Sequence, residues 1–170
     1  PASPTQVGCL EMHGTGTALG DPTEAGALAA VYGVYARTAS LVIGAAKASV
    51  GHGEAASGQV GLLRVVQQVD GASASGNAQL RALNPLVGER LGLHTERFAL
   101  PSQTAVARPA CGVSSFGFSG TIAHAVLSHV TDSVVRPSSS PLLGYRRRAF
   151  LWHDMDSSSR AARTRMYATC

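Results

Sequence analysis

Val7-Gly-Cys-Leu-Glu-Met-His-Gly-Thr-Gly-Thr-Ala-Leu-Gly-Asp-Pro-Thr-Glu24 reads as a strand, a glycine-rich turn and a helix start in one run. The run from Val7 to Met12 is the strand, and His13 sits in the turn that follows it. Asp21-Pro22-Thr23-Glu24 then carries a helix signature: Asp21 at the N-cap, Pro22 at the first helical position and Glu24 at the third. The helix should reach about Arg37. Its alanines with Leu28, Val31, Val34 and Tyr35 give an apolar surface with little polar relief, as expected of a helix buried between layers.

The same grammar recurs downstream. Leu41 to Ala45 reads as a buried strand, and a loop with Lys47 and His52 follows it. From Glu54 to about Val69 the spacing turns helical, with Ala55, Ala56, Leu62, Leu63, Val65, Val66 and Val69 covering much of the circumference. Gly58 and Gly61 would each cost about 1 kcal/mol relative to alanine inside a helix, which close helix packing would offset. Gly71 to Gly76 reads as a loop and Asn84-Pro85 as an extended turn. Short strands are expected near Arg97 to Leu100, Cys111 to Phe116 and Ile122 to Val130. This order predicts a layered α/β architecture with a mixed sheet and buried helices.

With 170 residues, 45% of them apolar, the chain can build one globular core. It opens on Pro1 with its first strand arriving almost at once, as expected of a segment cut from a longer protein. No stretch approaches the roughly 18 to 20 apolar residues of a membrane span, and no charged-then-apolar leader precedes the strand. A soluble protein of the cytoplasm or a plastid is expected, with no membrane partner. The net charge of +4 divides unevenly: residues 1 to 135 hold seven basic and eight acidic side chains, residues 136 to 170 seven arginines and two aspartates. The basicity therefore belongs to the tail, which lacks interleaved stacking aromatics, so nucleic acid is not an expected partner. From Ser133 the chain turns Pro- and Ser-rich and then reads Tyr145-Arg-Arg-Arg-Ala-Phe-Leu-Trp152. We divide it into a domain, 1–132, and a linker with tail, 133–170, with Tyr145, Phe150 and Trp152 as candidate anchors.

Cys9, Cys111 and Cys170 are odd in number and lack CxxC spacing, so neither a disulfide framework nor a zinc knuckle is expected, and a reducing compartment is. The histidines lack zinc spacing as well, and no metal site is expected. The turn after the first strand offers an imidazole and two hydroxyls ahead of a helix N-terminus, a place where a phosphate-bearing arm could lie. Lys47 precedes His52 by five residues. An ammonium there would favour the neutral imidazole, which can donate one hydrogen bond to a developing oxyanion, and Glu54 could balance the lysine. In Gly112-Val-Ser-Ser-Phe-Gly-Phe-Ser-Gly-Thr121, Phe116 and Phe118 alternate with glycine. That segment reads as a tight hairpin or bulge whose backbone amides are available as oxyanion donors. It lacks the second glycine of a GxSxG nucleophile elbow.

Three segments together resemble the beta-ketoacyl synthase family, specifically the ketosynthase domains of polyketide synthases and related fatty acid synthases. They are Glu11 to Glu24, Lys47-Ala-Ser-Val-Gly-His-Gly-Glu-Ala-Ala-Ser-Gly58, and Gly112 to Thr121 continued by Ile-Ala-His124. Leu83-Asn-Pro85 adds a weaker match. The resemblance covers about residues 7 to 130 and implies the C-terminal half of a thiolase-like αβαβα domain. It implies decarboxylative Claisen condensation, with a malonyl-type extender on the phosphopantetheine arm of an acyl carrier protein and no cofactor bound directly. His13 and His52 would promote decarboxylation and hold the enolate oxygen, with Lys47 supporting the second histidine. Thr15 and Thr17 would contact the pantetheine arm, and Phe118 would be the gating phenylalanine whose amide joins the oxyanion hole. Asp21, Glu24, Glu54 and Phe116 are taken as supporting residues. The family's nucleophilic cysteine lies in the N-terminal half, so the implied partners are that upstream half, an acyl carrier protein and a second copy in a homodimer. Alone, this chain would be inactive. Ser49 and Ile122 stand where the family usually has asparagine, and Met12 where it has alanine. The alternative is a non-condensing ketosynthase-like scaffold or carrier-protein docking module; an upstream cysteine would favour the enzyme, and a glutamine a decarboxylase-only variant.

Overall fold

The computed structural model describes residues 3–106 and 110–129. The tail from 133, with Tyr145, Phe150, Trp152 and Cys170, lies outside the described residues.

Strands β1 (Val7–Glu11), β2 (Leu41–Gly44), β4 (Phe98–Ala99), β6 (Ala110–Phe116) and β7 (Ile122–Ser128) form one sheet in the order β4-β2-β1-β6-β7. β4, β2, β1 and β6 pair in parallel, and β7 closes the edge antiparallel to β6. A two-stranded antiparallel pair, β3 (Ser73–Ala74) and β5 (Ala105–Val106), stands apart from it, with β3 inside the stretch expected to be loop.

Period-two alternation sends side chains to opposite faces of this sheet. Leu10, Leu41, Ile43 and Phe98 pack with Ala25, Leu28 and Tyr32 of helix α1 (Gly20–Tyr32) and with Val87 and Leu91 of helix α4 (Pro85–Leu91). Cys9, Val42, Cys111 and Val113 face the other way, against Val65 of helix α3 (Ser57–Gly71). The sheet is therefore sandwiched, with α1 and α4 on one face and α3 on the other. Gly58 and Gly61 permit the close packing of α3 that the sequence implied: a Cβ on Gly61 would meet Val113 at 3.2 Å, and one on Gly58 would meet Ser115 Oγ at 2.8 Å.

Helix boundaries depart from expectation in three places. α1 ends at Tyr32 rather than near Arg37, because Gly33 caps it and the Arg97 guanidinium takes the Gly33 carbonyl. Val31, Val34 and Tyr35 are consequently exposed, and α1 buries one face rather than its whole circumference. The second helix is split: a 3-10 turn over Glu54–Ala56 precedes α3, whose Leu62, Leu63 and Val66 remain exposed. Asn84-Pro85 starts α4 instead of an extended turn. Asn84 is its N-cap, accepting the Leu86 N–H at 3.0 Å, and Pro85 occupies the first turn, where its missing N–H costs nothing. Asn84→Ala should therefore lower stability by about 1 kcal/mol, read as a lower urea midpoint with an unchanged slope.

Cys9 and Cys111 correct the cysteine reading. They are register partners on the neighbouring strands β1 and β6, their Cα atoms lie 4.7 Å apart, and a disulfide joins them. Counting cysteines along the chain could not show this, because the fold brings together two residues separated by 102 positions. With the pair joined, the argument for a reducing compartment loses its ground. Cys9 Sγ also lies 3.4 Å from Oε1 of the buried Gln68. That contact is a hydrogen bond only when the pair is reduced, since a disulfide sulfur carries no proton.

No helix among the described residues is long and apolar enough to cross a membrane.

Candidate active site

Parallel β2, β1 and β6 deliver the loops at their C-terminal ends to one edge of the sheet, and the three sequence segments meet there. The His13 and His52 rings lie edge to face with centroids 5.7 Å apart, and Phe116 stands 5.2 Å from His13.

The loop after β1 is held by the helix it precedes. Glu24, buried in α1, accepts the His13 N–H at 2.7 Å and the Gly14 N–H at 3.0 Å, and Asp21 accepts the Gly16 N–H at 3.1 Å. Asp21 thus turns back to the loop instead of capping α1, whose N-cap position falls on Leu19. These three amides are already filled by the chain's own carboxylates, which leaves them unavailable to the phosphate-bearing arm considered from sequence. Gly14 is required on two counts: its φ is +47°, and a Cβ there would meet the Ala45 Cβ at 2.8 Å. Thr17 Oγ1 accepts the Gly20 N–H at 3.1 Å and lies 3.4 Å from Thr15 Oγ1, so both hydroxyls sit at the entrance to α1.

Lys47 begins the single-turn helix α2 (Lys47–Val50). Its Nζ lies 3.5 Å from Nδ1 of His13, not beside His52. The expectation that it serves the second histidine rested on closeness in sequence and on the family resemblance, whereas adjacent parallel strands bring the loops after β1 and β2 together. The negative charges that act on it are Glu11, Glu24 and Asp21, rather than Glu54. Burial lowers the Lys47 pKa and these three carboxylates oppose the shift. His13 titrates below the usual histidine range because of burial first, then Lys47 and His52.

His52 is fixed by its own segment. Its Nδ1 accepts the Glu54 N–H at 3.0 Å and lies 2.7 Å from Ser57 Oγ. A backbone N–H can only donate, so Nδ1 is bare and the proton of the neutral ring is on Nε2. An ammonium likewise only donates, which gives His13 the same tautomer. Glu54 reaches this position with φ at +47°, a conformation that a non-glycine residue holds only when its surroundings impose it.

Residues 117–121 form the tight turn expected between β6 and β7: the Gly117 N–H bonds the Thr121 carbonyl and the Gly120 N–H the Gly117 carbonyl. Both of those amides are spent inside the turn. Phe118 projects fully into solvent, and Phe116, not Phe118, stands against His13. Sequence reading overlooked three groups. Ser57 holds His52, and Glu11 and Arg64 form a buried ion pair at 3.4 Å beneath the site. A carboxylate in a strand with every residue buried was the available signal for Glu11. Among the described residues no group of three His, Cys, Asp or Glu side chains could hold a metal ion.

The geometry predicts a pH effect. Lys47→Met removes a positive charge that holds the His13 pKa down, so that pKa should rise and protonated His13 should persist to higher pH. Histidine NMR titration of the complete domain reads this as an upward shift confined to His13.

Residues 1–80 match the family model described as Beta-ketoacyl synthase, C-terminal domain. The chain belongs to the beta-ketoacyl synthase family and corresponds to the C-terminal part of its thiolase-like fold. The proteins it is similar to include polyketide synthases and ketosynthases of polyketide synthases. It is 39% identical over 127 residues to the highly reducing polyketide synthase otaA of Aspergillus carbonarius, covering 75% of this chain and 5% of that protein. It is 36% identical over 138 residues to the mellein synthase of Phaeosphaeria nodorum, covering 78% of this chain and 8% of that one. The chain thus spans under a tenth of the length of these curated relatives. Ketosynthase twelve of the bacillaene polyketide synthase of Bacillus amyloliquefaciens superposes with a TM-score of 0.68 at 29% identity, over 77% of this chain and 24% of that one. The module 1 ketosynthase of the bacillaene synthase from the same species gives 0.68 at 31%, over 78% and 25%.

Proposed function

We propose that this chain supplies the decarboxylation and enolate-holding part of a ketosynthase site, within an acyltransferase that forms carbon–carbon bonds in polyketide or fatty acid biosynthesis. The observation that carries the reading is the His13–His52 pair with each Nδ1 occupied. Lys47 engages one and the Glu54 amide with Ser57 the other, so each ring offers an Nε2–H. Two such donors suit an oxygen on which negative charge develops. A malonyl-type thioester on the pantetheine arm of an acyl carrier protein releases CO2, and the electron pair of the broken bond passes into the thioester to give an enolate. His13 and His52 hold the enolate oxygen. The enolate carbon then attacks an acyl thioester on a cysteine of the upstream half, and the cysteine thiolate leaves.

Thr15 and Thr17 line the approach of the arm in this reading, Phe118 gates it, and Asp21, Glu24, Glu54 and Phe116 keep the histidines in place. The upstream half covers the exposed Leu62, Leu63 and Val66 of α3, an apolar face that a domain partner would bury. Residues 133–170 are the linker that follows, and the complete enzyme is a homodimer. Without the upstream half the chain condenses nothing.

The test is CO2 release from malonyl carried on acyl carrier protein by the complete ketosynthase, upstream half included. Release that is lost in both His13→Ala and His52→Ala supports the proposal, and activity retained in both overturns it. Carrier binding with no release from the parent enzyme would instead favour the non-condensing scaffold.

A further inference from the structure

Glu11 closes β1 two residues before His13, and it is only 2% exposed. Its Oε1 accepts the N–H of Ala46, the residue before Lys47, and its Oε2 faces Arg64 NH1 at 3.4 Å. Arg64 comes from α3, and its NH2 donates to the Ser75 carbonyl at 3.0 Å and the Gly76 carbonyl at 3.4 Å. Neighbouring glycines leave room for this pair. A Cβ on Gly44 would lie 3.3 Å from Arg64 NH2 and 3.5 Å from Glu11 Oε2, and one on Gly61 would lie 3.4 Å from Glu11 Cγ. A buried carboxylate needs such partners, because losing one leaves an uncompensated charge.

We propose that Glu11, braced by Arg64, is a positioning residue: by holding the Ala46 amide it sets where α2 begins and so keeps the Lys47 ammonium on Nδ1 of His13. The inference rests on the ketosynthase reading for its catalytic consequence, although the Lys47–His13 contact can be measured without turnover. Among the charges that favour the Lys47 ammonium, Glu11 acts most strongly, ahead of Glu24 and Asp21. The Lys47 ammonium itself contacts Nδ1 of His13. Glu11 consequently acts in two separable ways, through its reach to Ala46 and through its charge.

Two substitutions in the complete ketosynthase separate them. Glu11→Gln keeps an oxygen for the Ala46 amide and removes the charge; Glu11→Asp keeps the charge and shortens the reach. With Glu11→Gln, the alkaline limb of malonyl decarboxylation should move to lower pH, because Lys47 loses its proton more readily, while KM for the malonyl carrier protein is unchanged. With Glu11→Asp, the limb should stay in place and kcat should fall by about 10- to 100-fold, the scale expected when a reacting group is displaced by about an ångström. The 15N shift of His13 Nδ1, recorded in the resting enzyme, should change in both variants. An unmoved limb in Glu11→Gln with an unchanged His13 signal overturns the inference, as does parental kcat in Glu11→Asp. Should Glu11→Gln fold poorly, Glu11→Asp alone decides. Activity retained in a His13→Ala control would overturn the ketosynthase reading instead, and the nitrogen shifts would still judge Glu11.

Discussion

Replacing His52 with alanine in the complete ketosynthase should slow malonyl decarboxylation by about 10^2- to 10^3-fold, the cost of deleting one preorganised oxyanion donor. His13→Ala should cost at least as much, because it also vacates the site that Lys47 faces. The tautomers sharpen this expectation. Both rings keep the proton on Nε2, so a replacement that places an N–H near Nε2 should retain more activity than one that places it near Nδ1. Glutamine does the former and asparagine the latter, so His52→Gln should exceed His52→Asn in single-turnover CO2 release. Equal loss in the two variants, or more activity in His52→Asn, would count against Nε2–H as the donor. Neither substitution changes a buried core residue, so thermal stability should stay close to the parent value.

Reducing the Cys9–Cys111 bond should produce the largest change in stability. The cross-link spans 102 positions, and a loop of that size stabilises by about 4 to 5 kcal/mol in the chain-entropy account. The hydrogen bond that reduced Cys9 can make to Gln68 returns about 1 kcal/mol of this. Urea unfolding should show a markedly lower midpoint in reductant, and a Cys9→Ala/Cys111→Ala variant should show no response to reductant. Both sulfurs are buried, so alkylation should label them only after denaturation and reduction. Alkylation of Cys9 and Cys111 in the untreated protein under denaturing conditions, located by peptide mass mapping, would remove the basis for the prediction.

The five strands of the main sheet were legible because they are short, largely apolar runs close to glycine or proline, whereas the two-residue strands β3 and β5 carry no such signal. Side-chain partners were less legible, and Lys47 shows why. Sequence distance points from Lys47 to His52, but strand adjacency decides, and adjacency is a tertiary property. The two acid-or-amide–proline signatures make the same point about local rules. At Asn84-Pro85 the cap signature holds and a helix begins, although the pair reads equally as a turn. At Asp21-Pro22 the helix forms but the aspartate serves Gly16, because the loop carrying His13 competes for its oxygen. The tight turn over 117–121 was expected, yet nothing local distinguishes Phe116 from Phe118. Which of them meets His13 depends on the register of β6 against β7, in which Phe116 pairs with Ile122.

Glu24 and Asp21 fill the amides of the His13 loop before any ligand arrives. A loop that satisfies itself has little freedom left to lose, so an incoming thioester would spend none of its binding energy on ordering it. Amide exchange at His13, Gly14 and Gly16 should then be as slow in the resting enzyme as with substrate bound. Recognition at this edge of the sheet would be insertion into a finished mould.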